Sequence, residues 1–178
     1  GSLETESVSG IEYGFVPATS TVPSESLPKG VSMPDLNRSI TVPAYFLPDI
    51  AVSAEAELKK TIHALKTAPA NAELWNRLGS ERKGLEDYEG AKEAYLYASA
   101  LSPENPAFAD SLGVLYGYYL HDAYKAERYF QKAIEIEPQM TYRYLRLFEL
   151  YRDIFKDNDK ARAILQKGLA AVPGEPRF

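Results

Sequence analysis

The chain has 178 residues and a net charge of −5, enough for one folded domain with a tail. It has no cysteine, which excludes a disulfide framework and a thiolate metal site. It has no basic patch, which argues against nucleic acid as the main partner. It also has no run near the roughly 18 apolar residues that a membrane span needs.

Residues 1–50 differ in kind from the rest. They hold six of the twelve prolines (Pro17, Pro23, Pro28, Pro34, Pro43, Pro48), eight serines, and six acidic against two basic residues. That places −4 in this segment and leaves −1 for the remainder. The composition predicts an extended Pro/Ser-rich arm, for which a free flexible linker is one reading. Gly1 and Ser2, with no initiator Met, read as an expression scar. The native chain is then expected to extend upstream, into an export signal or membrane anchor or into a larger multidomain parent. The arm carries two apolar clusters: Ile11, Tyr13, Phe15 and Val16, then Ile40, Val42, Tyr45, Phe46 and Leu47. Extended segments of this kind are what helical grooves bind, so at least 38–50 is expected to dock on the folded body.

From residue 51 the pattern turns helical. The stretch 52–68 is predicted as a single helix, closed by Ala64 and Pro69. Three units follow, 72–105, 106–140 and 141–175, each read as two amphipathic helices. With the first helix this gives seven, at about 52–68, 72–84, 87–101, 106–120, 123–136, 141–155 and 158–171. Their signals recur at an interval of 34–35 residues. Asp87, Asp122 and Asp157 can each accept backbone N–H bonds at a helix start. Ala91, Ala126 and Ala161 are small where helix backbones approach, as are Ala98, Ala133 and Gly168; Tyr95, Phe130 and Leu165 fill holes. Pro103, Pro138 and Pro173 follow helix ends, and Asn105 with Pro106 is an N-cap with proline at the first helical position. Gly79 to Ala91 is 12 positions but Gly113 to Ala126 is 13, so the second and third units carry one extra residue between their helices.

A fixed period of this length is the mark of a solenoid. The motif resembles the tetratricopeptide repeat. The first unit matches with Trp75, Leu78, Gly79, Ala91, Tyr95, Ala98 and Pro103, and has Arg82 where an aromatic is usual. The second matches with Leu112, Gly113, Tyr116, Ala126, Phe130, Ala133 and Pro138, with Ala109 in the tryptophan place. The third is looser: Tyr144, Leu147, Tyr151, Ala161 and Pro173 fit, while Phe148 stands where glycine is usual. The resemblance covers roughly 72–175. It implies an all-α fold: a right-handed α-solenoid of about three repeats, with a half repeat (52–71) as N-terminal capping helix and the arm in front.

It also implies a concave face lined by the first helix of each unit. Here that face would show Asn76, Arg77, Ser80 and Lys83, then Asp110, Ser111, Val114, Gly117 and Tyr118, then Tyr142, Leu145, Arg146, Glu149 and Arg152. Eight of the thirteen tyrosines lie between 116 and 151. Tyr116, Tyr144 and Tyr151 belong to the core by register, whereas Tyr118 and Tyr142 are off it and are candidate anchors. Chaperone-binding members of the family clamp a carboxy-terminal carboxylate with one Lys and two Asn. The corresponding places hold Asn76, Ser80 and Ser111, with Arg146 in the third unit, so that clamp is largely missing.

Catalytic chemistry finds no foothold. His63 and His121 lack acidic or histidine neighbours at metal-ligand spacing. Glu135, Glu137 and the pair Glu86–Asp87 read as solvated faces and caps. No phosphate-binding glycine motif occurs. The expectation is a non-enzymatic, cofactor-free interaction module that takes an extended peptide or a helix of a protein partner. Two other readings are an RNA-binding helical repeat of pentatricopeptide type and a membrane-anchored extracytoplasmic assembly factor. The last helix, 158–171, carries Ala161, Ile164, Leu165, Leu169 and Ala170, more than an inner stripe hides. Its exposed end or the groove is expected to be covered by the 40–47 segment, with Tyr45, Phe46 and Leu47 as anchors, by the same arm of a neighbouring molecule, or by a dimer contact.

Overall fold

The computed structural model describes residues 31–174; the first apolar cluster of the arm, Ile11 to Val16, lies outside them. Seven helices follow one another: α1 Pro48–Thr67, α2 Ala72–Gly84, α3 Tyr88–Leu101, α4 Pro106–Val114, α5 Ala123–Ile136, α6 Thr141–Glu149 and α7 Asn158–Ala171. Helix α4 continues as a π-helical turn, Leu115–Tyr119, and α6 as a second, Leu150–Phe155. The described residues contain no strand, and none of their helices is long and apolar enough to cross a membrane.

The helix starts follow from their caps. Asp87 accepts from the Gly90 N–H at 3.0 Å, Asp122 from Lys125 at 3.0 Å and Asp157 from Lys160 at 2.9 Å. Asn71 and Asn105 do the same for α2 and α4, each satisfying a donor the helix leaves open. Helix α1 begins earlier than its apolar pattern suggests, at Pro48. A proline is pre-set for the first turn of a helix, so the arm gives way to helix at residue 48.

Helices pack in pairs through the small positions. Ala91, Ala98, Ala126 and Ala133 are fully buried. A Cβ on Gly79 would come within 2.5 Å of the Tyr95 ring, and one on Gly113 within 2.5 Å of the Phe130 ring. In the third unit the exchange is reversed: Phe148 takes the glycine place and the smaller Leu165 the ring place. Tryptophan and tyrosine also tie the first and third units to the end of the one before. Trp75 Nε1 donates to the Pro69 carbonyl, and Tyr144 Oη to the Pro138 carbonyl, both at 2.8 Å.

The extra residue of the second and third units is not in the connection. It widens the end of the first helix into the π turn, where Leu120 N–H bonds Leu115 O at 2.9 Å. All three units then turn on the same device, a residue in the left-handed region: Glu86 (φ 64), His121 (φ 54) and Lys156 (φ 54).

The buried side chains form two clusters. One gathers Leu58, Leu65, Trp75, Leu78, Tyr97 and Phe108; the other gathers Tyr95, Leu112, Phe130, Tyr144, Leu147 and Ile164. The arm seals the first. Val31, Leu36, Ile40, Val42 and Phe46 pack against it, and Arg38 grips Asp87 with Nε and Nη2, both at 2.9 Å. This corrects the expected cover of α7 or of the groove. The arm lies on the α3 side of the N-terminal units, Tyr45 and Leu47 are 70% and 67% exposed, and Phe46 alone of the three expected anchors is packed. The physical reason lies at Asp87, whose carboxylate draws both Arg38 and the buried Arg82. Leu169 on α7 stays 48% exposed.

Candidate partner-binding groove

The first helices of the three units, α2, α4 and α6, carry the expected groove residues, and the structure divides those residues into two groups. On α2 most of them are engaged by neighbouring helices or by their own. Arg77 donates to Glu81 on its own helix at 2.9 Å and to Glu57 of α1 at 2.7 Å. The Ser80 hydroxyl lies 3.0 Å from the Tyr95 hydroxyl. The Lys83 ammonium sits 5.3 Å from the centroid of the Tyr119 ring on α4's π turn, a cation–π geometry. Asn76 is half-buried, with an Oδ1 that has no partner among the described residues.

Between α4 and α6 the residues form bridges. Tyr142 Oη donates to Asp110 Oδ2 at 2.7 Å, and Tyr118 Oη donates to Glu149 Oε2 at 3.3 Å. Both rings remain open to solvent, at 43% and 42% exposure, with Arg146 beside Tyr118 and Val114 and Leu145 half-buried. Burial raises the Tyr142 phenol above its ordinary range, and its bond to Asp110 adds to the shift. Burial and Glu149 do the same to Tyr118. Both hydroxyls are therefore donors throughout the neutral range.

Asp110 departs from expectation. It is buried rather than displayed, and its partner is Arg143, itself only 3% exposed. Arg143 Nε donates to Asp110 Oδ2 at 2.9 Å, while Nη1 donates to the Glu137 carbonyl and carboxylate at 2.9 and 2.8 Å. Burial works against the charged guanidinium, but the two carboxylates outweigh it and its pKa rises. Glu137, the C-cap of α5, keeps a side chain 42% exposed while its carboxylate pairs with the buried Arg143, so it is a partly solvated cap that also serves as a partner. Sequence reasoning passed over Arg143. The signal was there: 35 residues upstream the same place holds Phe108, a fully buried ring, so a charge at 143 has to bring its own partners.

Arg82 is the parallel case in the first unit, noticed only as a departure from an aromatic position. Its Nη1 donates to Asp87 Oδ2 at 2.6 Å. Burial alone would raise the Asp87 carboxyl, but Arg38, the Gly90 amide and Arg82 together hold it below the usual range. The histidines lie apart from all this, His63 exposed on α1 and His121 exposed in the turn before α5. Among the described residues no group of three or more His, Asp or Glu side chains could hold a metal ion.

A family profile described as tetratricopeptide repeat matches residues 72–105, the first full unit. Among solved structures the chain is similar to the crystal structure of MamA, at 22% identity and a TM-score of 0.61, over 69% of this chain and 70% of that one. It is also similar to the MamA RS-1 ArsTM double mutant, at 18% identity and a TM-score of 0.57, over 68% and 70%. At these identities the likeness carries the fold alone. No curated protein sequence matches the chain.

Proposed function

The chain is a tetratricopeptide-repeat protein, and from that premise we propose that it is a non-enzymatic interaction scaffold whose groove takes an extended peptide or a helix from a partner protein. One observation carries the reading: Tyr118 and Tyr142 present partly exposed rings on the first-helix side, with Arg143 over the Tyr142 ring, while their hydroxyls hydrogen-bond acidic partners on the adjoining helix, Tyr142 closely and Tyr118 at a longer 3.3 Å. A ring already held in place loses little freedom on binding, so more of its contact energy becomes affinity. Arg146 adds a donor beside Tyr118, and half-buried Val114 and Leu145 supply apolar floor. Tyr and Arg together are the residue types that dominate interface hot spots.

The reading is tested by screening an immobilised random-peptide array with the intact chain, then repeating the screen with Tyr118→Ala, Tyr142→Ala and Arg146→Ala. Each variant is expected to keep its melting curve and to weaken the selected peptides by about 2 kcal/mol, the usual loss for a truncated anchor. Selected peptides that bind all three variants as they bind the parent would place the working surface elsewhere.

A further inference from the structure

Away from the α2–α4–α6 face, helix α5 and the π turn of α4 enclose a recess of about 480 Å³ lined by Tyr116, Lys125, Arg128, Tyr129, Lys132 and Glu135. We infer that this recess is a second binding surface, selective for an acidic extended segment of a protein partner.

The lining is rich in donors and poor in acceptors. Lys125, Arg128, Tyr129, Lys132 and Glu135 fall at i, i+3, i+4, i+7 and i+10, so one stripe of α5 carries three cations and one acid. Lys125 pairs with Asp122 at 2.7 Å. Among the described residues, Arg128 and Lys132 have no ion-pair or hydrogen-bond partner, and neither do the hydroxyls of Tyr116 and Tyr129. The two tyrosines stack, centroids 5.6 Å apart and planes within 3°, which makes a rigid wall. The Lys125 ammonium lies 5.1 Å from the Tyr116 centroid. With Lys125 paired to Asp122, Glu135 in the lining and Glu89 acting on Tyr116, the unpaired cations are Arg128 and Lys132, on a chain whose net charge is −5. The stripe also stands partly against the helix dipole, since Lys125 is in the first turn of α5, where a cation is disfavoured.

The spacing selects the ligand's shape. Arg128 and Lys132 are four residues apart, so they stand about 6 Å apart along the helix axis. Alternate side chains of an extended peptide share one face at about 6.6 Å. A segment with carboxylates at every second position therefore meets both cations at once. A carboxylate also accepts Arg as a bidentate partner, and the tyrosine wall gives the peptide backbone two phenol donors.

The experiment is fluorescence polarisation of the intact chain with a labelled peptide of alternating Glu and Ser, against the same peptide with Gln for Glu. We expect the Glu peptide to bind at low salt at least tenfold more tightly than the Gln peptide, and to weaken as salt rises. The double variant R128Q/K132Q should lose at least tenfold with an unchanged melting curve, since Arg128 is exposed and Lys132 only partly buried. Tyr142→Ala, on the other face, should bind the Glu peptide as the parent does. Equal binding of the two peptides, or full binding by R128Q/K132Q, overturns the proposal. So does an absence of Glu-peptide binding alongside a response to an RNA homopolymer or to phosphatidylserine vesicles.

Discussion

Two kinds of residue in this molecule break local rules, and they do so for different reasons. Arg82 and Arg143 are charges where neighbouring repeats hold rings, and each is accommodated by a carboxylate within 3 Å. Removing a partner from such a pair leaves the remaining charge buried. Asp110→Ala is therefore expected to destabilise the chain by about 3 kcal/mol, the lower end for a broken buried pair because Glu137 still holds Arg143. Urea titration checks this; a loss under 1 kcal/mol would mean that water reaches the site. Glu86, His121 and Lys156 break a different rule. Each has a positive φ, where a Cβ is costly and glycine is not. Lys156→Gly is expected to raise stability by about 1 kcal/mol, read as a shift in urea midpoint with unchanged slope. These two groups also mark how far sequence could be read residue by residue. The αL turns were not foreseen, because no glycine or asparagine announces them. The buried arginines stood in plain view as departures from the repeat, yet their partners come from 5 to 33 positions away and only folding joins them.

Among the elements, the helices were legible, and so was the docking of the arm, but not the place where it docks. Caps and small-residue positions recur in each unit, so the ends of α2 to α7, with the π turns counted as the ends of α4 and α6, fall within a residue or two of expectation. The π turns show what a count of spacing leaves open: it revealed one extra residue but not that a helix end would absorb it, as π turns commonly do. The arm's partner was hidden because an extended segment has no period, and its apolar packing is joined by a long-range ionic grip, Arg38 to Asp87. Arg38→Ala is expected to speed amide exchange over residues 31–46 while leaving α5 to α7 unchanged; exchange as slow as in the parent would show that apolar packing alone holds the arm. The grip also carries a sign with pH. Because the folded Asp87 carboxyl sits below its ordinary value, its contribution is fully present above a pH of about 4. It is lost as pH falls through the lower folded value. Arm protection should therefore fade on acidification below that point and return on neutralisation.

The whole molecule has two side-chain clusters but no seam between them. Helix α3 gives Ala91 and Tyr95 to one and Ala94, Tyr97 and Ala98 to the other, so neither cluster can open without disturbing the same helix. Although repeat arrays can come apart unit by unit, an array this short with a shared helix is expected to unfold as one. Trp75 is the sole tryptophan and lies in the N-terminal cluster, which makes the test direct. Its fluorescence and the far-UV signal should share one urea midpoint, and Asp110→Ala, in the other half, should move the tryptophan curve equally. Two separated midpoints would show independent halves.

The arm has a mechanical consequence. Its contacts run in sequence along α3, from Tyr45 at Glu86, through Arg38 at Asp87 and Glu93, to the 31–35 stretch beside Glu93 and Leu96. Tension applied upstream of residue 31 and directed away from the surface reaches these contacts one after another, so the strap peels instead of shearing. Peeling proceeds at low force until Arg38, then meets the strongest grip before α1 feels any pull. A pull directed this way is therefore expected to detach the seventeen residues 31–47 before it loads α1, which single-molecule extension would read as a short early step ahead of unfolding of the helices.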